Sequence, residues 1–259
     1  MLVLSITSFI VGLITLPFLS GGLHGLAWMW IFLASLTYIL GNLFYFYALK
    51  GDEPSKIVPL FSLSLVFLAI LSALFLGEIF NPKTYFGIFI IIVGSITITY
   101  RHKITDVFTS RSFWLMIMSC FCFAVTYVVN KYLLFSYNYW QVFGIQRILF
   151  GFLGLLLIIF FFSEIKQTYQ QIKKKYLFLS GATELLNVVA VLLFTIATAY
   201  WYVTLAETVV SVHYIFIFFW ALLISRFKPS LFYEEISRKI IFQKIIAIVL
   251  IIGGIFLIS

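Results

Sequence analysis

The apolar residues of this chain are gathered into continuous blocks of roughly 17–25, parted by short polar breaks. A helix rising ~1.5 Å per residue needs that length to cross ~30 Å of hydrocarbon. With 63% of its 259 residues hydrophobic and only 10% charged, a water-soluble domain would have too little polar surface to cover itself. Blocks and breaks place about nine spans, near 2–19, 25–49, 57–79, 84–100, 113–135, 139–163, 177–202, 205–225 and 241–258. Strands of a membrane barrel run ~10 residues and alternate apolar with polar side chains, which these unbroken runs do not. Inside lipid each backbone amide must bond within its own segment, so the spans are helices. The expectation is an all-α, polytopic membrane protein. No separate soluble domain fits, because the longest polar stretch, 226–244, is itself amphiphilic.

The net charge of +8 is unevenly spread. Breaks after even-numbered spans carry Lys50, Lys56, Arg101, Lys103, Arg111, Lys166, Lys173, Lys174, Lys175, Arg226, Lys228, Arg238, Lys239 and Lys244. Breaks after odd-numbered spans carry Lys83 and Lys131, and Arg147 lies inside the sixth span. Fourteen against two is the positive-inside pattern. It puts the N-terminus and the even breaks in the cytosol and the C-terminus outside, across the plasma (cell inner) membrane. The basic excess therefore reports orientation and contact with the lipid bilayer, not nucleic-acid binding. Cys120 and Cys122, two apart on one helix, point to different sides and read as packing residues rather than a disulfide. The first block has no basic leader and no small-residue cleavage site, so it does not read as a signal peptide.

An internal repeat organises the spans. Ala48–Glu78 and Tyr202–Phe227 each follow an aromatic helix end, Tyr45-Phe46-Tyr47 in one case and Tyr200-Trp201-Tyr202 in the other. Each carries a glutamate before its next span, Glu53 and Glu207, with Pro59 and His213 six residues later. Each is followed by a glycine-bearing closing helix, with Gly87 and Gly94 in the first and Gly253 and Gly254 in the second. Helices one to four thus pair with six to nine, and the fifth, 113–135, has no counterpart. A five-helix unit repeated twice, lacking its first helix at the N-terminus, accounts for that arithmetic. An odd number of helices inverts the second copy, a recurrent design of secondary transporters. The division falls at 1–104, four helices, and 105–259, five helices.

The Ala-Leu-Lys of 48–50, the Pro59-Leu60 pair, the Leu76-Gly77-Glu78 turn and the spaced glycines of the next helix together resemble the EamA repeat of the drug/metabolite transporter superfamily. The second half is similar, with His213 where a proline is usual and the basic stretch 226–244 in place of the short Gly-Glu turn. Trp114 to Leu134 resembles the first helix of a repeat, and Gln146-Arg147 carries the arginine often found in the second. The resemblance implies a permease of small metabolites with ten helices and both termini in the cytosol. This chain shows nine spans, and its charge asymmetry places the two termini on opposite sides.

Polar residues within the spans form two stripes. Ser35, Tyr38, Asn42 and Tyr45 recur at helical spacing in the second helix, as do Glu184, Asn187, Thr195, Thr198 and Tyr202 in the seventh. Facing stripes on repeat-related helices would line a midplane cavity. Alternatively, such groups hydrogen-bond neighbouring helices as packing glue. Glu184 lies deep, where a bare carboxylate costs ~3 kcal/mol or more. It is either a structural ion pair with Arg147 or a substrate or proton site. His213 is cavity lining or a proton relay. Asn130 lines the cavity or caps its helix, and Tyr200 completes the expected substrate contacts. Pro59 sets a helix bend, and Glu78, like Glu53 and Glu207, is a structural turn residue. The glycines of the closing helices are seams for packing or for a homodimer.

No nucleotide-binding GxxxxGK[ST] loop occurs, and no HExxH, GxSxG or metal-spaced His/Cys cluster, so neither ATP drive, cofactor nor hydrolytic enzyme is indicated. The expected activity is alternating-access transport of a small-molecule substrate, with proton coupling motivated by Glu184. The competing expectation is a non-transporting membrane scaffold or subunit that needs a partner helix.

Overall fold

A computed structural model describes residues 2–19, 21–51, 57–99, 110–160, 174–210, 212, 213, 216, 220 and 238–258. Among them run nine α-helices: α1 Leu2–Thr15, α2 Ala27–Gly51, α3 Ser64–Leu76, α4 Pro82–Thr99, α5 Arg111–Leu134, α6 Tyr139–Phe160, α7 Lys174–Tyr200, α8 Val203–Val210 and α9 Arg238–Ile258. Each falls on one apolar block. Four of them, α2, α5, α6 and α7, are long and apolar enough to cross a membrane, and shorter apolar helices accompany them. The expected turn residue Glu53 and most of the eighth span lie outside the described residues.

The helices gather into two compact units, each drawing on both sequence halves. The first comprises Met1–Leu43 and Cys122–Trp201, the second Phe44–Phe121 and Tyr202–Ser259, so the division falls within α2 and α5.

In the first unit α1 lies directly along α6. A β-carbon on Gly151 would sit 2.6 Å from the Phe9 backbone nitrogen, and one on Gly12 would sit 2.7 Å from that of Ile148. Lipid offers helices no hydrophobic drive to associate, so close backbone approach at small residues supplies dispersion contact instead. Ser5, Ser8 and Thr15 of α1 are buried on this face. Beside it, Ile31, Ala34, Val129, Leu133 and Val142 form an apolar core from α2, α5 and α6.

In the second unit α4 and α9 pack by the same device. A β-carbon on Gly87 would sit 2.8 Å from the Gly254 carbonyl oxygen, and one on Gly94 would sit 2.9 Å from that of Ala247. Three of the four closing-helix glycines are therefore occupied within the chain, and only Gly253 faces open space. Pro59 lies in a 3-10 run, Val58–Leu63, that leads into α3, so it opens a first turn rather than bending an α-helix interior. Both cysteines are buried and outside any disulfide, and the Cys120 thiol points at the Leu60 carbonyl, 3.5 Å away.

The Leu76-Gly77-Glu78 turn has a defined task. Gly77 ends α3 in the left-handed region, φ +68°, where glycine carries no β-carbon penalty. That reversal aims Glu78 at the first turn of α8. Its carboxylate accepts the Val203 N–H at 3.0 Å, the Thr204 N–H at 3.4 Å and the Thr204 hydroxyl at 3.2 Å. Helix N-termini have unpaired amides and a partial positive charge, and a buried carboxylate answers both. Glu78→Ala is expected to cost about 2 kcal/mol, lowering the thermal midpoint of the detergent-solubilised protein by about 4–8 °C. An unchanged midpoint would show that water replaces the cap.

Candidate functional site

The first unit encloses a small cavity between α2, α5, α6 and α7. Tyr38 comes from α2; Thr126, Tyr127 and Asn130 from α5; Gln146, Arg147 and Phe150 from α6; Val191, Phe194 and Thr195 from α7. On each of the last three helices the lining residues fall within one turn and include a pair three or four apart, the spacing that puts side chains on one helical face. The cavity measures about 20 Å³, enough for the centre of one water-sized group, for which ~10–15 Å³ suffices.

Arg147 dominates it. The side chain is 2% exposed. Its Nη1 donates to the Ser8 hydroxyl at 3.2 Å, while the buried Nη2 has no hydrogen-bond partner. The guanidinium carbon stands 5.6 Å from the Tyr38 ring centre and 5.3 Å from that of Phe143. Desolvated cation–π contacts of this kind are worth about 2 kcal/mol. They hold the charge in place but offer nothing to the N–H edge of Nη2. Across the same cavity Asn130 Nδ2 donates to Gln146 Oε1 at 3.0 Å, leaving Asn130 Oδ1 buried without a donor. The cavity thus presents one charged donor and one neutral acceptor.

Of the residues expected to contact a substrate, Tyr38 and Asn130 reach this cavity, as does Arg147, which the sequence reading assigned a structural part. Glu184 does not. It is buried on α7, and its Oε1 accepts Asn187 Nδ2 at 3.2 Å within the helix. The anticipated Glu184–Arg147 ion pair is not formed. The two charges attract through space without contact, because Arg147 is turned towards Ser8 and the aromatic rings. Asn42 spends its amide on the Tyr38 carbonyl of its own helix at 2.8 Å. Tyr45 belongs to the second unit, where it packs 5.0 Å from Phe61. Tyr200 is a correction: at the last residue of α7 it is 80% exposed and contributes nothing to the cavity. His213 is exposed too, its Nδ1 2.7 Å from the Val210 carbonyl.

Several stripe hydroxyls fold back onto carbonyls of their own helices. Ser35 bonds the Ile31 carbonyl, Thr195 that of Val191 and Thr198 that of Thr195. Sequence reasoning passed over Thr126, Tyr127 and Gln146. Thr126 and Asn130 sit four apart on α5, a polar step legible in the sequence, of which only Asn130 was named. Thr126 also bonds Thr37 of α2, 2.8 Å between hydroxyl oxygens.

Lys131 is a second correction. Counted as a residue of an outer break, it lies inside α5 and is 8% exposed. Its ammonium donates to the Thr198 carbonyl at 2.7 Å and the Trp201 carbonyl at 3.0 Å, at the end of α7. The last carbonyls of a helix lack partners, and a cation there is favoured.

Together the helices, their composition and their burial define an all-α, multi-pass integral membrane protein. Residues 1–100 match the EamA-like transporter family, as the resemblance drawn from the motifs anticipated. A stretch of 72 residues is 36% identical to an "uncharacterized transporter in cobO 3'region" from Sinorhizobium sp.. The matched stretch spans 28% of this chain and about half, 51%, of that relative. The fold resembles that of a solved crystal structure described only as "Crystal structure of protein", with TM-score 0.65 and 18% identity over 99% of this chain and 87% of the other.

Lys131→Met, which keeps the stem and removes the donor, is expected to destabilise by about 2–3 kcal/mol. Amide exchange over 197–203 should accelerate at least tenfold in that variant, while exchange in α1 stays as it was. Equal exchange in both proteins would refute the capping role.

Proposed function

We propose that the protein is a secondary transporter of a small metabolite, resident in the plasma membrane and working by alternating access. The observation that carries the reading is the cavity itself. A membrane interior penalises polar groups, so a buried cation and an unsatisfied amide converging on one space are retained for a purpose. The family match over residues 1–100 and the transporter-named relative support the same class.

Alternating access assigns parts to the two repeat halves, 1–104 and 105–259, which would rock about the substrate site. In the conformation described the cavity admits only one water-sized group, as an occluded or empty state would. Substrate entry then requires helix movement, and glycine seams such as Gly12 against Ile148 allow smooth backbone surfaces to slide. Glu184 is the coupling group of the proposal. It is a buried carboxylate held by one neutral amide and within the field of Arg147, so binding a proton or a substrate there alters the charge balance of the site.

The test is uptake into vesicles carrying the purified protein, with a mixed small-metabolite pool followed by mass spectrometry, with and without an inward proton gradient. At least one solute is expected to accumulate at least tenfold over protein-free vesicles, faster with the gradient. Glu184→Gln is expected to keep its thermal midpoint and lose the gradient's acceleration. No accumulation of any solute would overturn the transport reading, and an unaltered gradient response in the variant would overturn the coupling role alone.

A further inference from the structure

We infer that the cavity selects a small monocarboxylate that also carries a hydroxyl, in the manner of glycolate or lactate, through Arg147 and Asn130. The inference deepens the transport reading by naming the substrate class of its site, and it rests on that reading for the claim that the bound solute crosses the membrane.

The charge comes first. Arg147 brings a guanidinium group that is 2% exposed and, among the described residues, has no carboxylate in contact. Ser8 supplies a neutral acceptor to one terminal nitrogen, and two ring faces cover the plane of the guanidinium. What remains is Nη2, a buried and unbonded donor on a residue that lines the cavity. A charged donor left unmet in a low-dielectric site costs more than the ~1–3 kcal/mol of a neutral one, so Nη2 favours an anion over a neutral acceptor.

The size and number of donors choose among anions. Among the described residues Arg147 is the one cation lining the cavity, and one of its terminal nitrogens is already committed to Ser8. A phosphate dianion would arrive with an excess negative charge and several oxygens lacking donors. A carboxylate balances the single positive charge and needs little room at its head.

The second orphan names the other half of the ligand. Asn130 Oδ1 accepts, and what it lacks is a donor. A protonated amine could supply one, but among the described residues no acidic side chain lines the cavity to neutralise it, and it would be repelled by Arg147. A hydroxyl donates without adding charge. Around these two polar points the walls are Tyr127, Phe150, Val191 and Phe194, which suit a short carbon skeleton.

The experiment measures thermal stabilisation of the purified protein in detergent by glycolate, lactate, acetate, glycine and glycolamide, alongside uptake of the same solutes into vesicles. Glycolate and lactate are expected to bind at least tenfold more tightly than glycolamide, which keeps the hydroxyl and loses the charge, and more tightly than acetate or glycine. Arg147→Gln is expected to abolish the preference for acid over amide. Because that variant risks misfolding, Asn130→Asp gives a second arm. It adds a carboxylate to the cavity that Arg147 also lines, so it should raise the thermal midpoint and weaken glycolate binding at least tenfold. Equal binding of glycolate and glycolamide, or undiminished glycolate binding in Asn130→Asp, would overturn the inference while leaving transport of other solutes intact. Binding of glycolate without uptake would uphold the site's selectivity and overturn the transport reading instead.

Discussion

Hydrocarbon leaves a backbone amide no partner except another part of the protein, and the rest of this structure follows from meeting that demand. Within α-helices the demand is met locally. At the ends it is not, and there the chain commits charged side chains. Glu78 takes the first amides of α8, and Lys131 takes the carbonyls where α7 stops. Both charges are buried, and both would be costly if the helix ends they serve were elsewhere. The helices then adhere by shape, because lipid tails are as apolar as the side chains facing them. Glycine on one helix against backbone of the next, at Gly151 with Phe9 and Gly87 with Gly254, brings atoms into the range where dispersion accumulates.

Against that background Arg147 stands apart. Glu78 and Lys131 serve helix ends, whereas Arg147 faces Ser8 and two aromatic rings and lines a cavity. Its neighbour Gln146 fixes Asn130 through a 3.0 Å hydrogen bond, so the acceptor on the opposite wall is held rather than free to rotate. Preorganisation of this sort lowers the ordering cost of binding. The aromatic residues around it exclude water and strengthen whatever electrostatic contact forms inside.

How much of this was legible beforehand varies by element. The spans 113–135 and 177–202 became Arg111–Leu134 and Lys174–Tyr200, displaced by no more than three residues, since an apolar run must be buried in lipid wherever it occurs. The Leu-Gly-Glu turn was recognised as structural, although its partner, 125 residues away at Val203, was not. The polar stripes divide in the structure. Tyr38 and Thr195 do turn towards the cavity, while Asn42 and Thr198 satisfy themselves on carbonyls of their own helices. Helical spacing says which residues share a face, but not whether a side chain reaches across or folds back. Lys131 misled because a lysine near the end of an apolar run looks solvent-exposed until the end of another helix is placed beside it.

The sequence by itself determined the solvent. Block length, scarcity of charge and the requirement for internally bonded backbone leave an all-α membrane protein as the outcome, and residues 1–100 match the EamA-like transporter family that the motifs of 48–94 resemble. Tertiary structure alone decided which polar groups meet. Arg147 lies 37 residues from Glu184 and 139 from Ser8 in the chain, and it contacts the farther one. Each helix is free to turn about its own axis until packing stops it. That rotation is set by glycine seams and aromatic contacts between distant segments, which no local period records.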